Sequence, residues 1–68
     1  MEDKTKEYIS KLKKYLEISS VSMSSAVTMY YEVTGLVIER DVLMYVIKSN
    51  GLDLIEFRRK GDVYLHLS

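Results

Sequence analysis

The stretch Leu52 to Leu67, LDLIEFRRKGDVYLHL, constrains what this chain can fold into more than any other. Apolar and polar residues alternate on either side of Arg58, Arg59, Lys60 and Gly61, the pattern of a β-hairpin with a basic tip. A three-residue loop, Arg59-Lys60-Gly61 with Gly61 left-handed, sets Arg58 against Asp62, Phe57 against Val63 and Ile55 against Leu65. Ile55, Phe57, Val63 and Leu65 then share one apolar face. Glu56 meets Tyr64 on the other face, and Leu54 meets His66. A two-residue loop at Lys60-Gly61 mixes the faces, because one residue of slip turns every side chain over. The three-residue register is therefore expected, with upstream helices covering the apolar face.

Those helices are legible as periodic stripes. Tyr8, Ile9, Leu12, Tyr15 and Leu16 recur at the spacing of one helical face, predicting a helix over about 3–17 with Asp3 as N-cap. Its remaining surface carries Glu7 and five lysines, Lys4, Lys6, Lys11, Lys13 and Lys14. Glu17 to Ser22 breaks the period and reads as a loop or short strand, with Ile18 and Val21 inward. A strand there pairs with the hairpin to make a three-stranded sheet.

Ser22 or Ser24 caps a second helix over about 23–34, with Ala26, Met29, Tyr30 and Val33 buried and Gly35 ending it. Val27 and Tyr31 fall off that stripe and are expected to be partly exposed. Glu39 opens a third helix over about 39–49, with Asp41 in its first turn and Lys48 in its last. Val42, Leu43, Val46 and Ile47 are its expected inner stripe, and Asn50-Gly51 its stop.

Helix, short extended piece, helix, tight turn, helix and hairpin (strands about 53–58 and 62–67) make a small α+β domain over residues 1–68. A plain three-helix bundle with a β tail is the competing architecture. In element order this chain resembles the winged helix-turn-helix family, carried by Ala26 to Val33, the Gly35 turn, Glu39 to Ser49 and the wing LDLIEFRRKGDVYLHL. The resemblance implies a transcription regulator whose third helix enters the major groove of duplex DNA while the wing touches backbone or minor groove. Carried over, Arg40 contacts guanine or phosphate, Lys48 contacts phosphate, and Arg58, Arg59 and Lys60 are wing contacts. Ser24, Ser25 and Thr28 offer hydroxyls and backbone N–H groups to a phosphate. Arg40, Asp41, Met44, Tyr45 and Lys48 form the implied outward face of the third helix, with Ser49 at its edge.

Charge departs from that pattern. Ten Lys plus Arg balance ten Asp plus Glu, whereas non-specific nucleic-acid affinity is ordinarily driven by a basic excess. The third helix itself sets Glu39 and Asp41 against Arg40 and Lys48. Met44, Tyr45, Tyr31 and Val27 are the adaptable residue types enriched at protein interfaces, and Val37 adds to them. The alternative implied is a protein-protein interaction module, an accessory subunit of a replication, transcription or other multiprotein complex. On either reading a homodimer or protein partner is expected.

Other functions lack parts. His66 is the single histidine, expected on the hairpin face away from Ile55 and Phe57; with no cysteine, neither a metal site nor a Ser-His-Asp set assembles, and no enzyme or cofactor is expected. Three scattered glycines make no phosphate-cradling loop. Apolar runs fall short of the ~20 residues that cross a bilayer, and Met1 leads into EDKTKE rather than a secretory signal. A cytoplasmic protein is expected. Few amides beside many Lys, Glu, Ile and Val suit a thermophile.

Overall fold

Tyr8 stands at the centre of the core. A computed structural model describes residues 4–68; the Asp3 cap lies outside the described residues. The chain runs α1 (Lys4–Ile18), β1 (Val21–Ser22), α2 (Met23–Thr34), α3 (Arg40–Ser49), β2 (Leu54–Arg59) and β3 (Asp62–Leu67). The strands form one antiparallel sheet in the order β1-β3-β2. This α+β arrangement is consistent with a winged-helix-like topology. No helix among the described residues is long and apolar enough to cross a membrane.

The helical stripes explain the packing. Tyr8, Leu12 and Leu16 bury one face of α1 against Ala26, Met29 and Tyr30 of α2. The Tyr8 hydroxyl donates to the Ala26 carbonyl at 2.9 Å, and its ring meets Tyr30 edge-on at 5.0 Å. Ser22 closes β1 and caps α2, its Oγ accepting from the Ser25 N–H at 3.1 Å. Gly35, at φ 78°, ends α2 in the left-handed conformation, and its N–H donates to the Tyr31 carbonyl at 2.7 Å. Asn50 and Gly51 end α3 as expected.

Burial pushes the Tyr8 phenol up, out of the ordinary tyrosine range, and Tyr30 beside it adds to the shift. A raised folded pKa means that the neutral phenol's contribution is complete below about pH 10 and is lost as pH climbs through the folded value. Tyr8→Phe is expected to cost about 1 kcal/mol near neutrality through the lost hydrogen bond. The same variant should show a flatter fall in stability at about pH 11 than the parent, read from urea midpoints.

Three expectations about faces are corrected. The hairpin pairs Arg59 with Asp62, Arg58 with Val63, Phe57 with Tyr64, Glu56 with Leu65, Ile55 with His66 and Leu54 with Leu67. The loop is therefore the two-residue Lys60-Gly61, both at positive φ (51° and 83°), the backbone sign pattern of a type I′ turn. Register is set by β3, whose Val63, Leu65 and Leu67 point inward beside Leu54. Beyond Leu54, β2 is exposed, so no core demanded that Ile55 and Phe57 face in. Ile55 and Phe57 lie on the outer face, and Phe57 stacks on Tyr64 with centroids 5.8 Å apart. His66 is exposed opposite Ile55, on the same face as Ile55 rather than away from it.

In α3, Leu43, Met44 and Ile47 are buried, whereas Val42 is half exposed. The stripe is rotated from the expected one: Met44 takes an inward place that its flexible thioether fills, and Val42 turns out. In α1, Tyr15 is half exposed and Ile18, its last residue, is 83% exposed, so neither is core. Of Ile18 and Val21, the strand pairing to Leu65 draws only Val21 inward.

Candidate nucleic-acid interface

The hairpin tip comes from chain geometry. A tight turn that holds Lys60 and Gly61 at positive φ leaves Arg58, Arg59 and Lys60 exposed together at the end of a paired ribbon. Among the described residues, no carboxylate forms an ion pair with any of these three cations. A lysine at φ 51° is locally unfavourable, by on the order of 1 kcal/mol for an ordinary L-residue. Asparagine tolerates that conformation and precedes glycine in the preferred hairpin turn. Lys60→Asn is therefore expected to raise the melting temperature by about 4–8 °C, checked by thermal denaturation.

The N-termini of α2 and α3 meet at an open groove of about 600 Å³. Ser24, Val27 and Thr28 line it from α2, Ile38 and Glu39 from the linker, and Arg40 and Asp41 from α3. Ser24 and Thr28, expected to offer hydroxyls from α2, and Arg40, expected to contact DNA from α3, line the same groove. Ser25 faces a neighbouring groove with Ser24, Thr28, Met29 and Glu32. Its hydroxyl is engaged, accepting from the Ser22 hydroxyl at 2.9 Å.

Glu39 and Asp41 beside Arg40 give the groove two carboxylates against one guanidinium, which opposes a phosphate despite the two helix N-termini. Asp41 is expected on the outward face from the sequence, whereas the places of Ile38 and Glu39 in this groove emerge only in the structure. The one available signal was their position immediately before a helix. Lys48 and Ser49 are exposed on the last turn of α3, away from the groove lining.

The apolar candidates separate. Tyr45 (73% exposed), Val37 (84%) and Leu36 (61%) lie open on α3 and the turn before it, and Tyr31 is half exposed on α2. Val27 is partly buried, and Met44 is buried rather than on the expected outward face of α3. Among the described residues, no group of His, Cys, Asp and Glu is placed to hold a metal ion.

No family model, curated protein or solved structure matches this chain.

Proposed function

We propose that this chain is a winged-helix DNA-binding protein of the regulatory kind, a binding protein rather than an enzyme, that holds duplex DNA chiefly through its wing. The observation that carries this reading is the tip, where Arg58, Arg59 and Lys60 are all exposed at the end of the hairpin, with Arg58 and Arg59 on opposite faces of the ribbon. Three closely spaced cations on a β-ribbon suit backbone phosphates, whose neutralisation releases counterions. Lys48 and Arg40 supply further contacts from α3, while Glu39 and Asp41 keep that helix from binding phosphate strongly. Ser24 and Thr28 contribute hydroxyls at the groove edge. The test is titration of a labelled duplex with the intact chain at low and physiological salt. Binding that weakens steeply with salt supports the reading, and no binding at low salt removes it.

A second reading is favoured by a separate observation, the exposed set Val37, Leu36, Tyr45 and Tyr31. As a protein-interaction module, the chain seats this surface on a partner within a larger assembly, with little DNA affinity at physiological salt. Val37→Ser with Tyr45→Ala then abolishes partner or self association and leaves the monomer folded. Loss of DNA binding alone counts against this reading.

A further inference from the structure

The outer edge of the sheet is β2, six residues long, free of proline and exposed from Ile55 onward. Hairpin geometry fixes which backbone groups are free. Arg59 and Asp62 flank a two-residue loop and so form a hydrogen-bonded pair, which makes Phe57 and Ile55 hydrogen-bonded to β3 as well. The Ser68 N–H donating to the Asp53 carbonyl at 3.1 Å continues the same parity. Leu54, Glu56 and Arg58 therefore aim their N–H and C=O groups away from the sheet. A row of unpaired donors and acceptors of this kind is a template for another strand.

We propose that the occupant is β2 of a second copy, joined antiparallel about a two-fold axis at Phe57 to make one continuous sheet. Charge complementarity selects this partner and this register. Free-edge residues must oppose free-edge residues, which restricts a self-pairing two-fold to a few centres. Centring on Glu56 sets that carboxylate against its own copy, and centring on Arg58 sets guanidinium against guanidinium. Centring on Ile55 shortens the overlap and leaves Glu56 opposite Leu54. Centring on Phe57 alone sets Glu56 of each copy opposite Arg58 of the other, with both backbone bonds made in each pair.

The outer face agrees with that register. Phe57 is 37% exposed and already stacked on Tyr64, and the two-fold brings it against Phe57 of the second copy. The Phe57–Tyr64 stack then continues across the junction, at the close-approach type of cross-strand pair. Ile55, half exposed, gains the stem of Arg59 from the other copy. Arg58 is engaged at the junction, and Arg59 and Lys60 remain as tip cations. The inference does not rest on DNA binding.

Sedimentation of the full-length chain across a concentration series tests it. The parent is expected to dimerise. Glu56→Arg and Arg58→Glu, each placing like charges opposite one another twice, are expected to weaken the dimer by at least about tenfold. The double reversal Glu56→Arg with Arg58→Glu restores the pairing with its signs exchanged and should return the dimer. Circular dichroism confirms that each variant is folded, and the rescue excludes a folding defect as the cause. A parent that stays monomeric leaves the edge to a strand of some other protein and overturns the proposal. So does a dimer that both single reversals leave intact.

Discussion

Leu65→Ala is expected to cost about 2–5 kcal/mol, the range for truncating a fully buried leucine. Leu65 lies on the central strand, paired to Val21 on one side and Glu56 on the other, and is wholly inaccessible. A chain of 68 residues has roughly 3–10 kcal/mol of stability in all, so this one change removes a large share of it. Ile55→Ala, on the exposed outer face, should cost under about 1 kcal/mol in dilute solution. The contrast matters because the three-residue register makes Ile55 and Leu65 cross-strand neighbours in one core. Urea midpoints for the two variants decide between the registers, and equal large losses would contradict the observed pairing.

Removing the tip cations has the largest expected effect on binding. Arg59→Ala with Lys60→Ala leaves Glu56 and Arg58 in place, so the β2 edge keeps its charges. Two lost phosphate contacts should lower duplex affinity by about an order of magnitude at moderate salt, with similar losses on unrelated DNA sequences. The fold should be unaffected, since both residues are exposed and neither makes a side-chain hydrogen bond or ion pair among the described residues. Uniform loss across sequences is the mark of backbone contact; loss confined to one sequence would place these residues at base edges instead.

Local rules made much of the fold legible. A serine cap at Ser22 or Ser24 (the structure uses Ser22), Gly35 and Asn50-Gly51 as stops, and the stripe Ala26, Met29 and Tyr30 each follow from chemistry within one turn of helix. At Val21 the sequence left a loop and a short strand open, and the pairing with Leu65 decides for the strand. What failed depended on tertiary context. Alternation along β2 argued for Ile55 and Phe57 inward, but alternation fixes a face only where a core lies beneath it, and there is little beneath β2 past Leu54. The turn then needed Lys60 at positive φ, which no lysine advertises. Met44 and Val42 exchanged places because both satisfy a helical period, and the three-dimensional packing chose between them.

The site divides along the same line. The wing cations were readable because charge at a turn is exposed whatever the register, and Arg58 to Lys60 are exposed in both. The groove joining Ser24 and Thr28 to Arg40 required two helix N-termini to meet in space. So did the finding that Glu39 and Asp41 share it. Two carboxylates in the groove, and none paired with the tip cations among the described residues, favour the tip over the groove for the proposed phosphate contact.

Salt dependence tests that assignment most directly. The slope of log binding constant against log salt should be measured for duplex DNA with the intact chain and with the Arg59→Ala, Lys60→Ala variant. Each phosphate contact contributes about 0.9 to the slope, so the variant's should be shallower by about 1.8. An intact chain without salt-dependent binding, or a variant whose slope equals the parent's, contradicts a wing that holds the phosphate backbone.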